Sequence, residues 1–318
     1  GVHISRQDMA NWTIQCAERY LAIMYDYLHS KLYTFSVLQA DETTVFVNKD
    51  GRPAGSKSYM WLYRTVESVQ KEQILLYEYQ KTRNSNHPRT FLKSFHGICI
   101  TDGYQVYHTL EQEREDLQIA GCWAHVRRRY DEALKALPKE KRNQSTAHRG
   151  LVMIQAIYRN EKPLKELSAE ERRERRQLSV KPLVEAYFTW VHATIGQVMP
   201  KSKLWEGLNY SINQERYLKV FLENGNVPID NNASERSIRS FCIGRKNFVM
   251  IDTLHGAAAS AIIYSIAETA KANGLKPYEY FELLLTEIPK HLDDDDLNFC
   301  EKLLPWSKDL PEKCRKKQ

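Results

Sequence analysis

Asp230-Asn231-Asn232-Ala233-Ser234-Glu235-Arg236 is followed closely by Ile238-Arg239 and by Gly244-Arg245-Lys246-Asn247-Phe248. A turn rich in Asn and Asp opens a helix, and Glu235 falls in its first turn with Arg236 and Arg239 close behind it. Two further acids close apolar, strand-like runs upstream: Asp41 in Val37-Leu38-Gln39-Ala40-Asp41 and Asp102 in Ile98-Cys99-Ile100-Thr101-Asp102. Two strand-borne aspartates and a glutamate on a late helix, in a basic protein, form the set needed to hold two divalent metals against a phosphodiester.

The pattern predicts a capping-box start at Ser5-Arg6-Gln7-Asp8 and an amphipathic helix to about residue 33. Strands are expected at 36–47, 58–67 and 73–80, rich in Val, Thr, Tyr and Ile, with an Asp50-Gly51 turn between the first two. A short helix at 87–95, a strand at 97–101, a helical turn or two at 105–111, a strand at 118–122 and a helix at 124–137 follow. From 143 to 224 the pattern is helical with no strand signal. Gly256–Ala272 suits a tightly packed helix, Gly274-Leu275-Lys276-Pro277 breaks it, and Tyr278–Ile288 begins a last helix. Asp293–Asp296 reads as a solvated loop.

This order lets the first and fourth strands be neighbours in one mixed sheet with helices on both faces. The expected fold is α/β and ribonuclease H-like: a mixed five-stranded sheet with flanking helices and an all-helical insertion. The expected parts are an amino-terminal helical region (1–34), a catalytic domain in two pieces (35–142 and 225–291), the insertion (143–224) and a tail (292–318).

Bulk composition permits a polyanionic partner without requiring one. Lys and Arg number 46 against 40 Asp and Glu, a net +6. The six cysteines contain no Cys-x-x-Cys pair and suggest reduced thiols rather than a disulfide framework. No signal peptide and no apolar run of membrane-spanning length are seen, so no membrane partner is expected. The chain opens on Gly1 rather than Met, and further residues are expected ahead of it in the natural protein.

Several segments, in order, carry a family likeness. They are Ala40-Asp41-Glu42-Thr43, Thr101-Asp102-Gly103-Tyr104, Gly121-Cys122-Trp123-Ala124-His125-Val126-Arg127-Arg128, Ile229–Arg236, Gly244–Phe248 and Ile262–Leu275. On these residues the chain resembles transposases of the insertion sequence 66 family, which are DDE-type enzymes. The resemblance implies a DNA transposase catalytic domain with Asp41, Asp102 and Glu235 as triad and Mg2+ or Mn2+, two ions, as cofactor. It also implies element ends and target DNA as partners, a homo-oligomer assembled on DNA, accessory proteins of the same element, and a bacterial cytoplasmic, nucleoid-associated location. Members usually carry an amino-terminal zinc-binding segment and a further helical region before this point. Neither is present in this sequence, so recognition of the element's ends is expected to lie outside it. Two other classes compete: a metal-dependent nuclease of the same fold, and a non-catalytic DNA-binding protein derived from a transposase.

Phosphodiester cleavage and strand transfer need an activated water or 3′-OH and a stabilised leaving oxygen, which two Mg2+ about 3.5–4 Å apart supply. Asp41 is expected to bridge, with Asp102 as second and Glu235 as third ligand. Each acid also has a plain structural reading. Asp102-Gly103 can start a turn, Glu235 can complete a capping box with Asn232, and Glu42 points to the opposite sheet face from Asp41, so either could be the functional acid. His125 either reaches the site and positions the scissile phosphate or caps locally, while Cys122 and Trp123 pack; Trp123 stacking on a flipped base is the alternative. With two potential ligands, Cys122 and His125 make a poor zinc site. Arg127, Arg128, Arg129, Arg236, Arg239, Arg245 and Lys246 flank the motif helices and suit phosphate contacts, or else helix-surface salt bridges. The charge-dense start Leu167–Arg176 reads as a solvated face of opposite charges, or as a DNA or partner contact through Arg172, Arg173 and Arg176.

Overall fold

The computed structural model describes residues 3–316 apart from Ala54, Ser68 and Gln70. Two compact units divide the chain. One runs up to His96 and resumes at Ala233; the other spans Gly97–Asn232.

The first unit opens with the expected capping box. Ser5 accepts from the Asp8 N–H while the Asp8 carboxylate accepts from Ser5 N, and α1 (Arg6–Cys16) starts there. The helix passes through a π turn, Ala17–Leu21, into α2 (Ala22–Leu32), whose buried Met24, Leu28 and Leu32 recur every fourth residue. Three strands follow: β1 (Val37–Lys49), β2 (Lys57–Thr65) and β3 (Leu75–Gln80). β1 pairs antiparallel with β2, and β2 with β3. Helix α3 (Asn86–Phe91) completes this part, with Phe91 stacked on Tyr63.

In the second unit β4 (Gly97–Ile100) and β5 (Leu117–Ala120) pair in parallel, which requires a crossover, and α4 (Gln105–Glu113) supplies it. Helix α5 (Trp123–Lys135) follows directly. After it come α6 (Thr146–Glu161), α7 (Ala169–Arg175), α8 (Lys181–Ile195) and α9 (Lys203–Glu223), with no strand among the described residues of 143–224. Trp123 is fully buried; its ring meets Tyr187, Phe188 and Phe221 edge-on, and its indole N–H donates to Leu218 O at 2.9 Å. It is a core residue, as its apolar bulk favours.

The charged start at 167–176 corrects the sequence reading. Arg172 is buried and donates to the carbonyls of Leu164, Lys165, Leu167 and Gly225. Arg176 is 1% exposed; it pairs with Glu161 and donates to the carbonyls of Phe221 and Asn224. Two guanidiniums here satisfy helix-end carbonyls inside the unit and offer nothing to DNA. Arg173, paired with Glu170 at 2.5 Å, is the exposed member of the three.

The first unit then resumes. Helix α10 (Asn232–Phe248) leads into a short strand β6 (Ile251–Thr253), parallel to β1 through Val47↔Ile251 and Lys49↔Thr253. Helices α11 (Leu254–Ala272), α12 (Pro277–Glu287) and α13 (Phe299–Leu303) follow. The five expected strands all form, each within two residues of its expected ends. β6 and α13 are additional.

Helix α11 does more than pack. On β3 the Leu75 and Tyr77 N–H groups donate to the hydroxyls of Thr269 (2.9 Å) and Ser265 (2.7 Å), and Thr269 donates back to Leu75 O. One turn further on, Asn273 exchanges hydrogen bonds with both backbone groups of Gln73. Ser265, Thr269 and Asn273, spaced by four, act as a side-chain substitute for a neighbouring strand and close an edge otherwise open to pairing. Thr269→Val keeps the shape but leaves the buried Leu75 groups unpaired, so denaturant unfolding should show a loss of about 1–3 kcal/mol. An unchanged midpoint would contradict this role.

Candidate active site

In the first unit α10 is seated on β1 and β2. Ile238 and Phe241 of the helix share a core with Val45, Met60, Leu62, Leu75, Tyr77 and Ala261. Arg64, opposite Gln39, is buried and donates to Ala233 O (3.1 Å) and Ser237 Oγ (2.8 Å), while Tyr77 OH donates to Ser237 O at 2.7 Å. Two turns on, Cys242 and Arg245 reach Thr43 Oγ1, and Arg245 also bonds Thr44 O. The helix therefore runs along β1 in the same direction as the strand.

This seating decides which acid of the Asp41-Glu42 pair faces the helix. Asp41 pairs with Leu62 and Thr43 with Met60, and paired residues share a sheet face. Leu62, Met60 and Val45 face α10, so Asp41 does too. Glu42, one residue along, lies on the other face, where it pairs with Arg83. Glu235 stands seven residues before Cys242, on nearly the same helix edge, the one turned toward β1. Seven helical residues span about 10 Å and two strand residues about 7 Å. Glu235 thus projects toward β1 before Thr43, at the Gln39–Asp41 end.

The far face holds a second acid. The row Glu42–Trp61–Glu78 crosses all three strands, and burial pushes the Glu78 carboxyl up to about 7, opposed by the Gln80 amide donating to it at 3.0 Å. Neither acid is on Asp41's face.

Asp102 and His125 belong to the second unit. Asp102 lies just past β4, where Oδ1 accepts from Tyr104 N at 2.9 Å and Gly103 turns at φ +88°. Asp102 thus starts a turn, as the Asp-Gly pair suggests. Tyr210 of α9 donates its hydroxyl to Asp102 O at 2.7 Å. A Cβ placed on Gly103 would sit 2.9 Å from Tyr210 OH and from Gln214. Sequence reading missed Tyr210 and Gln214 because they sit in an ordinary helical pattern; the Asp-Gly turn pointed to a close approach without naming the partner.

His125, half-buried in the first turn of α5, meets the Arg128 guanidinium at 3.3 Å. Cys122 is buried, its thiol pushed up to about 12 by desolvation, and accepts from Asn231 N at 3.1 Å. Asp230 accepts from the backbone N–H and side-chain amide of Asn232 and from Tyr158 OH. Asn232 is itself the first residue of α10, so its side chain braces the turn. Neither unit by itself gathers three or more His, Cys, Asp or Glu side chains into a metal-binding group among the described residues.

Residues 1–259 match the family described as Transposase IS66 family, and residues 265–306 match the IS66 C-terminal element. The chain belongs to the IS66 transposase family. Among its relatives are three proteins of Sinorhizobium fredii (strain NBRC 101917 / NGR234), each named as uncharacterized. Protein y4qI is 28% identical over 317 residues, y4jD 25% over 315 and y4hP 24% over 321. Each alignment takes in 96% of this chain and 57%, 60% and 56% of the relative, respectively, so the chain spans little more than half their length.

Within this IS66 family chain the flanking cations divide by exposure. Arg127, Arg128, Arg236, Arg239 and Lys246 are exposed. Arg245 is half-buried and bonded to β1, and Arg129 is half-buried with its guanidinium 4.2 Å over the Tyr210 ring. No described helix is long and apolar enough to cross a membrane.

Glu42→Gln weakens the pair with Arg83 and should lower the midpoint of denaturant unfolding; an unchanged midpoint would contradict a stabilising role for that pair. For Glu78 the folded carboxyl lies above its ordinary value of 4.5, so the folded state binds the extra proton. Its contribution is fully present below about pH 4.5 and is lost as pH rises to about 7. Glu78→Gln should remove that fall, and identical pH–stability curves for the two proteins would contradict it.

Proposed function

We propose that this chain is the catalytic part of a DNA transposase of the IS66 family, cutting and joining phosphodiesters at the ends of a mobile element. The observation supporting this reading is the seating of α10 on β1 and β2, which covers the sheet face that Asp41 shares with Val45, Met60 and Leu62. In the proposed ribonuclease H-like arrangement β1 lies beside β4, Asp102 completes the set, and 143–224 is a helical insertion.

The donor chemistry fits the expected cofactor. Three carboxylates supply only hard oxygen ligands, the kind Mg2+ and Mn2+ take, and the set contains no thiolate or imidazole to favour zinc. When bound, two such ions would activate the attacking water or 3′-OH and stabilise the leaving oxygen. Asp41, Asp102 and Glu235 are the residues that would hold them. His125 and the exposed Arg127, Arg128, Arg236, Arg239 and Lys246 would hold backbone phosphates, giving salt-dependent and sequence-independent affinity. Asn232 braces the turn from which α10 starts. Work on element ends implies assembly of more than one copy on DNA, with accessory proteins of the element as further partners, in the bacterial cytoplasm.

The test is strand transfer by the full-length protein on pre-cut element ends with Mg2+ or Mn2+. Asp41→Asn, Asp102→Asn and Glu235→Gln should each lower joining at least about a thousandfold, roughly 4 kcal/mol of transition-state stabilisation. DNA affinity should hold or rise, because carboxylates repel the phosphate backbone unless metal neutralises them. Glu235→Gln joining at the wild-type rate would remove Glu235 from the site. Cleavage without joining by the wild type would favour a nuclease.

A further inference from the structure

The Asp102 loop is short, lying between the end of β4 at Ile100 and the start of α4 at Gln105. Its shape is held from two sides. From within, Asp102 Oδ1 accepts from Tyr104 N, and Gly103 adopts φ +88°, a conformation open to glycine and strained for other residues. From outside, α9 closes over it: Tyr210 OH donates to Asp102 O at 2.7 Å, and Tyr210 and Gln214 fill the space a Gly103 side chain would need. The Tyr210 ring is itself fixed by the Arg129 guanidinium of α5, 4.2 Å from its centroid.

We propose that Tyr210 is a positioning residue for Asp102: its hydroxyl locks the peptide after the aspartate, and with it the direction in which the carboxylate is presented to the metal. This rests on the reading of Asp102 as a metal ligand. The physical case is that one residue is pinned at both ends. The side chain is tied to the Tyr104 N–H and the carbonyl to Tyr210, so the backbone between them cannot rotate without breaking one bond. A ligand held in this way binds its ion without first being ordered, and removing the outer partner costs affinity rather than chemistry. It also gives the helical stretch 143–224 a part in the site although it supplies no ligand: α9 is the wall against which the loop is set.

The experiment compares wild type, Tyr210→Phe, Gly103→Ala and Asp102→Asn in Mn2+ binding followed by electron paramagnetic resonance. Thermal unfolding and the Mn2+ dependence of strand transfer are measured alongside. Tyr210→Phe keeps the ring and its stack with Arg129 and removes only the hydroxyl. Loss of one such bond should raise the half-saturating Mn2+ concentration about five- to tenfold in both binding and activity, with the rate at saturating metal near wild type. Gly103→Ala should shift it the same way, through the clash with Tyr210 and Gln214, and serves if Tyr210→Phe does not fold. A purely structural Tyr210 would lower the unfolding temperature and leave the Mn2+ half-saturation unmoved; that result overturns the proposal. If Asp102→Asn abolishes tight Mn2+ binding while both loop variants match wild type, the positioning role fails and the ligand assignment stands. If Asp102→Asn itself binds Mn2+ as wild type does, both fail.

Discussion

The seating of α10 on β1 and β2 sets the geometry of the first unit. Ile238 and Phe241 enter the core formed by Val45, Met60 and Leu62, which fixes the rotation of the helix about its axis. Arg64 and Tyr77 bond the carbonyls and hydroxyl of its first turns on the β2 side, and Cys242 and Arg245 tie its later turns to Thr43 on β1. Rotation and direction together set Glu235, in the first turn of the helix, on the edge that Cys242 also occupies. The same packing orients β1, because a slip of one residue would move Asp41 to the far face and bring Glu42 under the helix. Asp41 is thereby set on the face that α10 covers, by apolar contacts and by the bonds of the buried Arg64 guanidinium.

The second unit uses its charges differently. Arg172 and Arg176 are turned inward to satisfy carbonyls where helices end, and Glu161 neutralises one of them. A buried ion pair of this kind contributes little net stability, but breaking it leaves a charge uncompensated. The aromatic core around Trp123, with Tyr187, Phe188 and Phe221, joins α5, α8 and α9. That rigid group carries α9 to the loop after β4, where Tyr210 meets Asp102.

Much of this was visible in the residue pattern, for definite reasons. The strands announced themselves by β-branched and aromatic runs, and their alternation already set Asp41 and Glu42 on opposite faces; only the helix packing shows which face α10 covers. The capping box at Ser5 and the helix from the Asp230 turn followed local chemistry. What failed was the inference from charge to exposure. Arg172 and Arg176 sit in a run dense with Glu and Arg, and nothing local separates a guanidinium paired across a solvated helix from one donating to carbonyls tens of residues away. The ladder of Ser265, Thr269 and Asn273 was hidden for a related reason: its spacing of four is a helix face, and its partner is a strand nearly two hundred residues earlier. Tyr210 and β6 were equally invisible, one a tyrosine among many, the other three residues long with its partner in β1.

We propose that Asp41, Asp102 and Glu235 ligate the same metal ions. Anomalous diffraction from crystals of the protein grown with Mn2+ tests it most directly, since the ion is located by its own scattering. Manganese peaks bounded by all three carboxylates are the expected result. Manganese held by other side chains, with Asp41 and Glu235 bonded only to protein, would contradict it.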